Sequence, residues 1–213
     1  MDERGWGEDG AVEGGLRFLR AADPTLGRLI DAYGTGVWEE RIAGRPREPF
    51  AALLRAIVGQ QLSVAAARAV YARLQETFGG RTPKPREVLA ADPAALRAAG
   101  LSQAKVRYLR GLAERALAGE LSWERLAAAP DEEVVATLEA LPGVGRWTAQ
   151  MFLIFQLGRL DVLPAADLGL RRAIGRHYGL SETPTAAAVA RLGERWAPYR
   201  SLATVYLWRS LSG

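Results

Sequence analysis

Cysteine is absent from the 213 residues. That excludes disulfides, cysteine-ligated zinc and cysteine-held iron–sulfur clusters, and it says nothing about compartment. Histidine occurs once, at His177. A histidine-rich metal site is therefore excluded, and a Ser-His-Asp triad would have to use His177, which no nucleophile motif accompanies. Lysine is nearly missing: of 28 basic residues only Lys84 and Lys105 are lysine and the rest are arginine. A GC-rich genome gives such a bias, and arginine is also a good phosphate ligand. No apolar run approaches the roughly 20 residues that span a bilayer. The first fifteen residues carry Asp2, Glu3, Glu8, Asp9 and Glu13 and no apolar stretch, so no signal peptide and no membrane partner are expected.

Hydrophobic residues make up 49% of the chain, enough for one large domain or two small ones with a substantial core. A net charge of +4 and a pI of about 9.7 suit a polyanionic partner without specifying one. The periodicity is helical almost throughout, and no β-type alternation exceeds four residues, so the fold is expected to be all-α. Residues 1–14, rich in glycine and acid, read as a flexible N-terminus. A first helical region over Leu16–Ile30 is interrupted near Asp23-Pro24, and Thr35–Pro49 reads as a loop. Helices are then expected over Phe50–Val58, from Ser63 to about Phe78, from Asp92-Pro93 to Gly100, and over Ser102–Ala118, Ser122–Ala128, Asp131–Ala140, Leu168–His177, Thr185–Trp196 and Ser201–Leu211. Serine, aspartate and Asp-Pro starts and glycine stops punctuate them.

The ten residues Leu141–Gln150, Leu-Pro-Gly-Val-Gly-Arg-Trp-Thr-Ala-Gln, carry the most chemistry. One helix ends, two glycines turn the chain, and another helix begins at Gly145 and runs to about Leu157. Glycine permits turns that a β-carbon would obstruct, and the amides at a helix start can meet an anion such as a DNA phosphate. Gly-rich connections also join helices with no ligand involved. Twenty-two residues beyond Gly145 stands Asp167, before another helix. An aspartate there is also an ordinary N-cap, and the two roles are compatible.

The full string matches the hairpin of the helix-hairpin-helix DNA-binding motif. The chain resembles a helix-hairpin-helix DNA glycosylase of the alkylated-base branch, the 3-methyladenine DNA glycosylase II type. The likeness covers about residues 16–211 and is also carried by Ile57–Ser63, Asp161–Arg172 and Arg195–Trp208. It implies two helical subdomains flanking a cleft: 15–49 packing with 161–213, which carries the catalytic aspartate, and 50–160 holding the hairpin. The extra N-terminal β domain of some relatives is not expected.

The resemblance also implies roles. Leu141, Gly143, Val144, Gly145, Arg146 and Thr148 contact DNA. Asp167 is the catalytic carboxylate, with Asp161 its only close rival. Trp147 stands where the strand-cutting branch has a Schiff-base lysine, so lyase activity is not expected, and neither is that branch's iron–sulfur cluster. Gln60, Gln61 and Leu62 occupy the turn whose side chain wedges into the duplex when a base is flipped out. Leu62 is the apolar candidate, Gln60 and Gln61 suit base edges, and the glutamines bridging helix ends is the competing reading. Trp147, Met151 and Trp208 match the aromatic pocket for a cationic base, against the plain reading of tryptophans as core. Methionine suggests a roomier pocket, and Arg209 departs from an aromatic relative.

Alkylation at a ring nitrogen makes a purine a cationic leaving group, so a carboxylate that stabilises the oxocarbenium-like sugar and orients water suffices. The expected function is monofunctional base excision of 3-methyladenine and 7-methylguanine class lesions from double-stranded DNA. A catalytically silent lesion-binding protein of the same fold is the alternative. No organic cofactor is implied. The hairpin of relatives can hold a monovalent cation through backbone carbonyls, on which the sequence is silent. A cytoplasmic, nucleoid-associated monomer is expected. Lesser expectations are Lys105 as a weak phosphate ligand, Arg171 near phosphates or carboxylates, a structural Arg172, and His177 on a solvated helix end.

Overall fold

A computed structural model describes residues 10–43, 45–46 and 48–211. Every element is helical, with fourteen α-helices and one 3₁₀ turn, and no strand occurs among the described residues. None of these helices is long and apolar enough to cross a membrane. The chain forms two compact units. One joins the described residues up to 43 with those from Leu153 onward, and the other is Arg45–Phe152. The sequence reading placed the latter boundaries at 50 and 160.

In chain order the first unit begins with α1 (Ala11–Ala22), α2 (Pro24–Tyr33) and α3 (Val37–Ile42). The second unit holds α4 (Pro49–Gly59), α5 (Val64–Thr77), α6 (Pro85–Ala90), α7 (Pro93–Ala98), α8 (Gln103–Leu117), α9 (Trp123–Ala128) and α10 (Asp131–Glu139). The boundary falls within α11 (Arg146–Phe155). The first unit then closes with α12 (Leu168–His177), α13 (Ala186–Gly193), the 3₁₀ turn Glu194–Trp196 and α14 (Arg200–Arg209).

Caps explain most of these limits. Asp23, Ser63, Asp92, Ser102, Ser122, Asp167 and Thr185 each accept a backbone amide one turn into the helix that follows, which satisfies donors that have no intrahelical partner. Proline opens α2, α4, α6 and α7, where its missing N–H costs nothing.

The first unit is built on α14. Ser201 through Leu207 are all buried, as an internal helix surrounded on every side requires, and α2, α3 and α12 pack on it. Ser201 fixes the preceding loop: its hydroxyl donates to Arg159 O at 2.7 Å and accepts from Val162 N at 2.9 Å. Asp23, 1% exposed, is the unit's buried carboxylate. Its Oδ1 accepts from Thr25 N, and its Oδ2 accepts from Tyr178 Oη at 2.6 Å and Trp196 Nε1 at 2.9 Å. These bonds satisfy polar oxygens that burial has taken out of water.

In the second unit α8 packs on α4 and α6, and Val106, Leu109 and Leu112 of α8, Leu53, Leu54 and Ile57 of α4 and Val88 of α6 are all buried. Three expectations are corrected. Residues 11–14 are the first turn of α1, while 1–9 of the expected flexible terminus lie outside the described residues. The expected loop over 35–49 contains α3, because Val37 and Trp38 find a core and are buried. Ahead of Asp92, in a stretch to which the sequence assigns no element, α6 starts at Pro85. The helix expected over Thr185–Trp196 ends at Gly193, and its last turn tightens to 3₁₀. A Cβ on Gly193 would stand 2.5 Å from Leu163 Cδ2, so that close approach admits glycine.

Candidate functional site

The second unit carries the glycine hairpin. After α10, Leu141 N bonds Leu138 O and Val144 N bonds Leu141 O at 3.1 Å, closing the turn. Leu141, Val144 and Thr148 are buried, so their side chains anchor the hairpin and leave only backbone to meet a ligand. Gly143 is glycine for two reasons. Its φ is +82°, and a Cβ would lie 2.3 Å from the Tyr108 ring. Gly145 is different: φ is not in the left-handed range, and an added Cβ would meet nothing within 4 Å. Among the described residues nothing demands glycine at 145, and its surface opens outward.

Beyond it, Arg146 is exposed and pairs through both oxygens with Glu132 of α10 at 2.8 and 3.0 Å, with Glu139 at 3.9 Å. Exposed pairs of this kind contribute about 0–1 kcal/mol, so the guanidinium exchanges partners readily. Trp147 is 51% exposed, which removes the plain-core reading at that position. Met151 lies one turn further along α11 and is half-buried.

The turn after α4 belongs to the same unit. Gln60 Nε2 donates to Gly143 O at 2.7 Å, so this glutamine bridges the turn to the hairpin. Gln61 has φ +58°, the sole non-glycine in the left-handed region among the described residues, and its side chain is exposed, as is Leu62 at 40%. Lys105, expected as a phosphate ligand, is instead a cap. Its Nζ donates to Val58 O and Gln60 O, both at 2.8 Å, and burial lowers its pKa.

The first unit carries the acid. Asp167 caps α12, and its Oδ1 accepts from Leu170 N at 2.6 Å and from Trp208 Nε1 at 2.8 Å. Trp208, half-buried near the end of α14, has Phe155 6.1 Å away, centroid to centroid. The Arg41 guanidinium lies 6.0 Å from its ring centroid. The indole's N–H edge is therefore committed to the carboxylate, and Arg41 meets its ring as a cation. Gly169 leaves room for this arrangement: a Cβ there would stand 3.1 Å from Asp167 Oδ1 and 3.6 Å from the indole. Arg41 has a lowered pKa, from burial first and from the nearby Arg209 second.

The rival Asp161 is engaged elsewhere. Arg200 grips both its oxygens at 2.7 and 2.9 Å. Arg171 donates to Pro184 O at 2.6 Å, a structural bond, whereas Arg172 is exposed. His177, expected on a solvated end, is half-buried against Ser210 Oγ at 2.8 Å. Burial, Arg176 and Arg28 all lower its pKa. No group of three His, Cys, Asp or Glu that could hold a metal occurs among the described residues. The sequence offers bridging as a role for Gln60 without its partners and misses the Trp208–Asp167 bond, because each contact joins residues more than 40 positions apart.

Described residues whose every element is helical, with a Leu-Pro-Gly-Val-Gly hairpin and an aspartate capping a later helix, define a helix-hairpin-helix protein. The family described as HhH-GPD superfamily base excision DNA repair protein matches residues 54–198, and the chain belongs to it. It is 36% identical over 194 residues to DNA-3-methyladenine glycosylase 1 of Schizosaccharomyces pombe, covering 90% of this chain and 84% of that protein. It is 34% identical over 209 residues to DNA-3-methyladenine glycosylase 2 of Escherichia coli, covering 92% of this chain and 64% of that one. The structure of the S. pombe 3-methyladenine DNA glycosylase in complex with abasic DNA superposes with a TM-score of 0.82 at 32% identity, covering 94% and 97% of the two chains.

Proposed function

We propose that this protein is a monofunctional DNA glycosylase that hydrolyses the N-glycosidic bond of alkylated bases in double-stranded DNA, the 3-methyladenine and 7-methylguanine class. The observation that carries this reading is the carboxylate of Asp167, half-buried and oriented through Oδ1 by the Trp208 indole and the Leu170 amide. It lies in a family member whose named relatives are 3-methyladenine glycosylases.

A flipped nucleotide whose base is alkylated at a ring nitrogen already has a good leaving group. As the C1′–N bond breaks, positive charge develops on the sugar, and a fixed carboxylate stabilises it more than it stabilises the ground state. Water then attacks C1′ and gives up its proton to the same carboxylate. Trp147 stands where a strand-cutting enzyme needs an amine, so the abasic product leaves with its phosphodiester intact. The backbone of Gly143–Arg146 and the Arg146 guanidinium receive a phosphate. Gln61, at the apex of its turn, and Leu62 enter the duplex as the base leaves it. Trp147 and Met151 supply pocket surface. No organic cofactor is required. A monovalent cation on the hairpin would use backbone carbonyls. Leu141 O and Gly143 O each already accept one N–H, and each retains a second lone pair. The protein acts as a monomer in the cytoplasm, on the nucleoid.

The test is chromatography of bases freed from duplexes carrying a panel of alkylated and deaminated lesions, with strand integrity read on a gel before alkali. Methylated purines appear and strands stay whole. Tight binding to methylated duplex with no base released would instead select the silent lesion-binding protein, and strand breaks before alkali would overturn the monofunctional assignment.

A further inference from the structure

Two long-range clamps meet on one residue of the turn after α4. From one side Lys105 Nζ donates to Gln60 O and to Val58 O, both at 2.8 Å. These are carbonyls at a helix end, where no amide of the next turn is available and a cation is favoured by the helix dipole. From the other side Gln60 Nε2 donates to Gly143 O at 2.7 Å. The clamps reach across 45 and 83 residues of sequence. What they hold is costly to hold: Gln61 is a side-chain-bearing residue strained into the left-handed region, and Leu62 beside it is apolar and exposed.

A turn that only joined two helices would relax. A turn that must push between stacked bases cannot, because unstacking a step takes work and a compliant loop would bend before the DNA did. We propose that Lys105 and Gln60 are positioning residues that lock the Gln60–Leu62 turn and the Gly143 hairpin into one rigid body. Strand binding at the hairpin is thereby converted into force on the base stack at Gln61 and Leu62. The inference rests on the DNA glycosylase reading only for the identity of what is gripped and wedged. The strut itself is internal to the second unit.

The test uses the full chain and three variants, Lys105→Met, Lys105→Arg and Gln60→Leu. The deciding readout is fluorescence of 2-aminopurine placed beside a mismatched or abasic position in a duplex, which rises on unstacking. Anisotropy on an undamaged duplex measures the grip separately. Lys105→Met and Gln60→Leu lose the unstacking signal, and release from a paired lesion slows about 10- to 100-fold, while affinity for undamaged duplex stays within about twofold. Lys105→Arg restores part of both. Release from a lesion in an unpaired stretch, where less unstacking work is needed, is largely spared. Should Lys105→Met melt too low to assay, Gln60→Leu, which leaves the helix cap in place, decides alone. A wild-type unstacking signal in both variants, or equal slowing on paired and unpaired lesions, overturns the proposal. A wild-type protein that unstacks DNA and releases no base would sink the enzymatic reading, and the fluorescence comparison would still decide the strut.

Discussion

Asp167 has two occupations in one side chain. It starts α12 by accepting Leu170 N, and it offers a carboxylate aimed by Trp208. The residues themselves separate the two. Asp167→Asn keeps an Oδ1 acceptor for the Leu170 amide, so its melting temperature is expected to stay within a few degrees of wild type. Base release in single-turnover assays should fall at least 10²–10³-fold for want of the charge, with duplex affinity retained. Trp208→Phe keeps an aromatic ring and removes only the N–H. A hydrogen bond to a charged group is worth about 1.5–3 kcal/mol, so kcat is expected to fall about 10- to 100-fold with little change in KM. Equal loss in both constants would make Trp208 a wall of the pocket rather than the aligner of the acid. The aspartate was legible in the sequence because its spacing from the hairpin and its helix-start context are local. The indole that aims it was legible only as an aromatic, since 41 residues separate the pair. Lys105 shows the same limit. A lysine after a helix start reads as a surface cation until the carbonyls of Val58 and Gln60 arrive from elsewhere in the chain.

Helix limits were legible to within one or two residues at Ser63, Ser102 and Asp167, where a side-chain cap marks them. They were missed where packing decides. The segment holding α3 has prolines and arginines and no N-cap side-chain bond, and only Val37 and Trp38 betray that it folds inward. The hairpin gives the sharpest test at this scale, because its two glycines are there for different reasons. Gly143→Ala places a Cβ against the Tyr108 ring at a positive φ. It is expected to destabilise by several kcal/mol through strain and overpacking, visible as a lower melting temperature. Gly145→Ala adds a methyl to open space. Its stability should be unchanged or slightly raised, while duplex affinity drops about tenfold if a phosphate must approach that backbone. A Gly145→Ala protein that binds DNA normally would mean the phosphate is met elsewhere.

At the scale of the whole molecule, two responses to solution conditions are expected. Burial and the bond to Asp23 push the Tyr178 hydroxyl up beyond the ordinary tyrosine range, and burial pushes Tyr206 up to about 12. A raised folded-state pKa contributes stability that is whole below pH 10 and is lost as pH climbs past it, because the unfolded chain sheds those protons first. Denaturant midpoints should therefore hold through neutral pH and fall between about pH 10 and 12, less steeply in Tyr206→Phe. Duplex affinity should fall steeply with salt, by a slope of about 0.9 per phosphate neutralised, and Arg146→Ala should lower that slope by about one.

The guanidinium of Arg146 does not wait idle for its target. It rests against Glu132, and to take up a nucleic acid strand it must abandon an acid that stays close by. On the proposed reading, the negative charge left on Glu132 would then face a polyanion and oppose it. If Arg146 takes up a phosphate as proposed, this pair is a weak release spring, and visits to intact duplex are expected to be short. For a protein that must sort rare lesions from a long polymer, a short dwell on the wrong address matters as much as arriving at the right one.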